Sequence, residues 1–162
     1  MSKAKNTHSI EEIERLFRPS GALLAAESNL GKAIERLAVA RTQHSPAILD
    51  LIVRLRFAPS GQLRGIDLVN QLHMSPGYVS RLVDQAEIDG LISRRTDPQD
   101  RRAQLLELTP AGERAFDDFV PPALDVLDET IYASLSPDEV DVFVDILERI
   151  AARSQGLLDR ST

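Results

Sequence analysis

The 162-residue chain has no cysteine, no tryptophan and only two tyrosines. The missing cysteine excludes disulfides, a thiol nucleophile and thiolate metal sites. No stretch approaches the roughly 18 apolar residues that a membrane span needs. Lys3 and Lys5 are followed by the polar, acidic "NTHSIEEIE" rather than by an apolar run, so no secretory signal is expected. The expected location is the cytoplasm. G-x-S-x-G, H-E-x-x-H, P-loop and G-x-G-x-x-G patterns are also absent, which argues against an enzyme and against a cofactor. The three histidines, His8, His44 and His73, have no spaced carboxylates around them, so no metal site is expected.

What is present is an uneven distribution of charge. The formal net charge is −6, yet residues 54–106 carry eight basic side chains, all arginine, against six acidic ones. Residues 107–162 carry four basic against thirteen acidic. An acidic remote segment weakens a local positive face but does not cancel it over several Debye lengths. A polyanion-binding middle segment is therefore compatible with an acidic chain.

The helix signals are mostly caps. Ser9-Ile10-Glu11-Glu12 has the capping-box form, and Ile10, Ile13, Leu16 and Phe17 follow at helical spacing until Pro19-Ser20-Gly21 ends that short helix. A longer helix is expected from about Ala22 to Gln43, with Leu23, Leu30, Ile34, Leu37 and Ala38 on one face. Ser45-Pro46 starts another helix, ending near Phe57, and "APSG" at Ala58–Gly61 is a turn. A short helix near Gly65 buries Leu68, Val69 and Leu72. After His73 the chain turns, Met74 plugs inward and Ser75-Pro76 opens a helix whose buried stripe is Val79, Leu82, Val83 and Ala86. Gly90 suits a left-handed C-terminal cap. Two short helices joined by a tight turn make a helix-turn-helix.

"LISRR" and "RAQLLEL" then form a hairpin around "TDPQD". Thr109-Pro110 caps a helix carrying Phe116, Phe119, Leu124, Leu127 and Ile131, with a kink or break expected at Pro121-Pro122. Ser136-Pro137-Asp138-Glu139 caps the last helix, whose stripe is Val140, Phe143, Leu147 and Ile150. The fold class is thus mainly α with a small β-wing.

These elements place a candidate site. With its stripe buried, the helix after Ser75 presents Gly77, Tyr78, Ser80, Arg81 and Asp84 on the opposite face. Small residues permit close approach to a major groove, and an arginine can fork onto guanine. The hairpin behind that helix is placed as a wing, whose tip arginines suit the negative potential of a minor groove. Asp97 and Asp100 are expected to pair with Arg101 or Arg94 and to aim the guanidinium groups.

The stretch "QLRGIDLVNQLHMSPGYVSRLVDQAEIDGLISRRTDPQDRRAQLLELTPAG", Gln62 to Gly112, resembles the winged-helix core of the MarR family of transcriptional regulators. The resemblance runs through "VSRLVD", "DGLISRR", "DPQDRR" and "LTPAG". It implies a homodimer with intertwined terminal helices, bound to pseudo-palindromic double-stranded DNA as a ligand-responsive repressor. The corresponding division is residues 1–45 and 113–162 for dimerisation and 46–112 for DNA binding. By resemblance, Ser75, Pro76, Gly77, Tyr78, Ser80 and Arg81 face the major groove. Arg101 enters the minor groove, and Asp97 and Arg102 hold the wing. The family often responds to a small phenolic or otherwise aromatic anion held between lobe and dimer core, and His44, Arg54, Phe57 and Phe116 are the candidates to touch it. The family usually has glycine at the position of His73, which is read here as a turn residue tolerant of left-handed backbone. The alternative is a winged-helix protein-interaction module without DNA binding.

Overall fold

Five hydroxyl side chains set the helix starts in a computed structural model that describes residues 9–72, 74–101 and 103–158. Ser9 Oγ accepts from Glu12 N (3.1 Å), Ser45 Oγ from Ile48 N (3.4 Å) and Ser75 Oγ from Tyr78 N (3.3 Å). Thr109 Oγ1 accepts from Ala111 N and Gly112 N, both at 3.2 Å. Ser136 N and Oγ both donate to the Glu139 carboxylate at 2.8 Å, the reciprocal half of a capping box. Those two hydrogen bonds hold the Glu139 carboxyl below its ordinary pKa. Four of the five caps are followed by proline, which fills the first helical position without wasting a donor.

The elements are α1 (Ile10–Thr42), α2 (Pro46–Arg56), β1 (Gln62–Arg64), α3 (Gly65–Leu72), α4 (Pro76–Ile88), β2 (Ile92–Thr96), β3 (Gln104–Leu108), α5 (Pro110–Leu127), a π-helical turn (Asp128–Tyr132) and α6 (Pro137–Leu158). The sheet is antiparallel with strand order β1-β3-β2. α2 is its central pillar: Leu49, Leu51, Ile52 and Leu55 are wholly buried against α3, α4, α5 and the sheet. Each such side chain is worth about 1.5–3 kcal/mol on burial, so this region carries the stability of the lobe. α6 differs. It packs on the π-helical turn, and none of residues 137–157 is buried.

Four expectations are corrected. The break at Pro19-Ser20-Gly21 is absent, and α1 is one helix of 33 residues with Pro19 inside it. Proline removes the bond to the carbonyl four residues back, and that carbonyl belongs to Arg15, an exposed residue on an exposed turn of the helix. Of the kink or break expected in α5, the break is absent: the helix continues through Pro121 and Pro122. The carbonyls they free are those of the exposed Asp117 and Asp118, while Gly112, Ala115, Phe119 and Ala123 keep one face buried. Irregularity falls after these prolines, where Ala133 N donates to Asp128 O (2.8 Å) across a wide π turn. Leu124 is not in the buried stripe; it lies one position past Ala123 on the helix and is 58% exposed. Finally, β1 was not expected, since three residues carry too little alternation to signal a strand.

Candidate nucleic-acid interface

α4 divides cleanly. Val79, Leu82, Val83 and Ala86 are buried, and Ser75, Pro76, Gly77, Tyr78, Ser80 and Arg81 are all exposed on the other side. A Cβ at Gly77 would meet nothing within 4 Å, so the surface there is open for close approach. The Arg81 guanidinium lies 5.9 Å from the centre of the Tyr78 ring one turn back. That cation–π distance restricts Arg81 before any ligand arrives.

The hairpin forms as expected, with Ile92 opposite Leu108 and Thr96 opposite Gln104. Strand alternation sends neighbouring side chains to opposite faces, and this separates the first arginine pair. Arg94 shares its row with Leu106 and Leu63 on the inner face. There it pairs with Asp84 of α4, and its Nε lies 3.3 Å from Glu87, an ion-pair distance without hydrogen-bond geometry. Arg95 lies on the outer face and pairs with Glu107 (3.4 Å). Glu107 also accepts from Gln62 Nε2 (2.8 Å) and Ser93 Oγ (3.3 Å), and these contacts, Gln62 foremost, hold its carboxyl below the ordinary value.

Asp97 does not pair with Arg101 or Arg94, as the sequence suggested. It is 4% exposed, and its Oδ2 accepts from Arg64 Nε (2.8 Å) and Nη2 (2.5 Å). Oδ1 accepts from Gln99 N at 2.8 Å. The Gln99 amide is the main cause that lowers the Asp97 pKa, with Arg64 adding to it against the cost of burial. Arg64, 33 residues away in the chain, is the functional neighbour that the sequence did not reveal. Arg101 is exposed at the tip, and among the described residues no ion pair engages it or Arg81. Arg102 and His73 lie outside the described residues.

The "LTPAG" exit has a steric reason. A Cβ on Gly112 would stand 2.1 Å from the Leu91 carbonyl oxygen. Thr109 Oγ1 donates to Gly90 O (2.6 Å) and Thr109 N to Leu91 O (3.0 Å), fastening α5 to the end of the recognition segment. Gly90 itself has φ +72°, the left-handed cap expected of it.

The four effector candidates do not converge. Phe57 and Phe116 meet edge to face with centroids 5.8 Å apart. The cation beside them is Arg56, 5.6 Å from the Phe116 centroid and paired with Glu113 at 3.2 Å. Arg54 is tied to Asp50 (3.1 Å), and His44 faces Asp89 at the end of α4 (3.7 Å). Among the described residues no group of histidine, aspartate or glutamate side chains could hold a metal ion. No described helix is long and apolar enough to cross a membrane.

A helix-turn-helix followed by a braced two-stranded wing, flanked by long helices, defines a winged helix-turn-helix protein. A family model for the MarR family matches residues 57–103, the helix-turn-helix and the wing up to its tip. The chain is 33% identical over 92 residues to the HTH-type transcriptional regulator YkoM of Bacillus subtilis, covering 56% of this chain and 58% of YkoM. It is 26% identical over 105 residues to the HTH-type transcriptional repressor YetL of the same organism, covering 62% of each. These alignments span less than two thirds of either relative. The fold is shared with Sco3205, a MarR family regulator from Streptomyces coelicolor solved in complex with DNA. There the TM-score is 0.79 at 21% identity, over 90% of this chain and 89% of that one.

Proposed function

We propose that the chain is a cytoplasmic, homodimeric, sequence-specific double-stranded DNA-binding transcriptional regulator, a repressor relieved by a small aromatic anion. The observation that carries this reading is the selective availability of Arg81 and Arg101. Their neighbours Arg64, Arg94 and Arg95 are consumed in ion pairs, whereas these two stand on the exposed recognition face and wing tip. Ser75, Pro76, Gly77, Tyr78, Ser80 and Arg81 read the major groove. Arg101 enters the minor groove, with Asp97 and Arg102 serving the wing. Phosphate contacts supply most of the affinity, and α4 supplies discrimination.

Residues 46–112 form the DNA-reading lobe, and residues 1–45 and 113–162 the dimer. Support for the dimer is the apolar surface left on both terminal helices: Ile10, Leu16 and Phe17 on α1, and Val142, Ile146 and Ile150 on α6 are all exposed. Soluble monomers rarely leave contiguous apolar surface of that extent. In the dimer two α4 helices enter successive major grooves roughly 34 Å apart. The Phe57–Phe116 pair with Arg56 suits an aromatic anion, which acts by favouring a helix spacing that does not fit the duplex.

Selection of bound fragments from a random duplex pool tests this. A two-fold symmetric site with half-sites one helical turn apart is expected. Enrichment of no sequence, or retention on DNA that does not weaken with salt, would instead leave a protein-interaction module.

A further inference from the structure

The sheet's outer face carries a row of polar ties, and the last of them has a use that the rest do not. Ladder pairing ends at Thr96 and Gln104. Beyond that point the tip is held by Asp97: its amide donates to Ala103 O (3.0 Å), and Ala103 N donates to Asp100 O (2.9 Å). Asp97 is the one buried charged residue among those described. Both oxygens of its carboxylate are engaged, with the tip's own Gln99 amide on one and Arg64 on the other. Arg64 ends β1, which pairs with β3 and not with β2, so its side chain crosses a strand to reach the wing. It also immediately precedes α3, the first helix of the helix-turn-helix.

We infer that Arg64 is a positioning residue for DNA binding: through Asp97 it fixes the wing tip to the helix-turn-helix body, so that Arg101 is presented to the minor groove. This rests on the DNA-binding reading above. Two of the three guanidinium nitrogens of Arg64 are committed to Asp97, so a direct phosphate contact is not its main use. Four bonds separate the charged fork from any conformational change in the backbone of β1, but Asp97 lies only four residues before Arg101. Loosening Asp97 therefore moves Arg101 far more than it moves α4, which is braced separately through Arg94, Asp84 and Glu87.

The test is a double-mutant cycle on the full-length dimer, with an operator duplex from the selection above as probe. Arg64→Met keeps the aliphatic stem and removes the fork. With Arg101 present it should weaken operator binding about tenfold, and in an Arg101→Ala background less than twofold, because the two then lie on one path. Arg64→Lys should recover part of the loss. An equal loss in both backgrounds would overturn the proposal, since Arg64 would then act independently of the wing tip. A second readout needs no DNA. Amide exchange at Gln99 and Ala103 should accelerate about tenfold in Arg64→Met while Leu82 and Val83 of α4 stay protected. Unchanged exchange at the tip would overturn it, and so would equal acceleration in α4, which would make Arg64 a general stabiliser. Failure of the unsubstituted dimer to bind any duplex would overturn the DNA reading, and the exchange result would still decide whether Arg64 holds the tip.

Discussion

Replacing Gly112 by alanine should damage the fold at one contact. The new Cβ would stand 2.1 Å from Leu91 O, 3.1 Å from Leu91 C and 3.2 Å from Leu108 Cδ2. Cβ contacts under 3.0 Å essentially do not occur, so α5 and the Leu91 carbonyl must separate by nearly 1 Å. Neither side yields easily. Leu91 is 3% exposed and its carbonyl accepts from Thr109 N, while Thr109 Oγ1 caps α5 and also donates to Gly90. Overpacking of this kind costs about 1–3 kcal/mol, and each hydrogen bond lost at the staple adds about 0.5–1.5 kcal/mol. Against this stands the roughly 0.5–1 kcal/mol that alanine gains over glycine within a helix. The net is about 3 kcal/mol, a fall in melting temperature of roughly 6–12 °C for a chain of this size. Thermal denaturation followed by circular dichroism at fixed dimer concentration measures it. The matched control is Gly77→Ala, which meets open space and should leave the melting point level or slightly higher while weakening operator binding. A Gly112→Ala melting point within 2 °C of the unsubstituted protein would refute the close-approach reasoning.

Arg81→Ala should relax base preference at one position per half-site, at about 1–3 kcal/mol each, as read by repeating the selection; unchanged preference would remove Arg81 from the base-reading set. Ile146→Asp with Ile150→Asp should convert the proposed dimer to monomer or unfolded chain by light scattering, because both residues are apolar, exposed on α6 and would carry charge into the proposed interface; an intact dimer mass would place the interface elsewhere. Acid should loosen the wing through Asp97. Its pKa is lowered in the folded chain, so its contribution is complete above the ordinary carboxylate value of about 3.9 and is lost as pH falls through the lower folded value. The Gln99 amide signal should therefore hold steady from neutral pH to about pH 4 and shift only below it; a midpoint at or above the ordinary value would contradict the Arg64–Asp97 arrangement.

Much of the architecture was legible because it is encoded locally. A hydroxyl followed by proline marks a helix start within a few residues, and that signal worked at Ser45, Ser75, Thr109 and Ser136. The buried stripe of α4 follows from its period, and so does the exposed face opposite. The misreadings share a different cause. A proline speaks for a break, but whether the helix breaks depends on whether the freed carbonyl meets water and whether the other face is anchored. At Pro19, Pro121 and Pro122 the residues four back are exposed, and whether the flanking apolar residues find a buried face is decided by packing against distant elements rather than by the local sequence. β1 is a strand only because β3 arrives 40-odd residues later to pair with it. Arg64 and Asp97 are likewise unremarkable apart. By contrast, the divergence of Arg94 and Arg95 was available from strand alternation alone, once "LISRR" was taken as a strand.

That divergence changes what the arginine-rich middle of an acidic chain means. Seven of its eight arginines are described, and five of them are in ion pairs: Arg54 with Asp50, Arg56 with Glu113, Arg64 with Asp97, Arg94 with Asp84 and Glu87, and Arg95 with Glu107. Only Arg81 and Arg101 of the seven stand outside such pairs. Salt dependence separates the two meanings, because each neutralised phosphate contributes about −0.9 to the slope of log K against log salt. If every arginine in the segment gripped the backbone, a dimer would show a slope of about −14. If the paired ones brace the lobe and only Arg81, Arg101 and Arg102 meet DNA, the slope should be about −5. Fluorescence anisotropy on the operator between 50 and 300 mM salt distinguishes values this far apart. A slope near −14 would mean that the ion pairs open on binding, and the bracing role assigned to Arg64, Arg94 and Arg95 would fail with it.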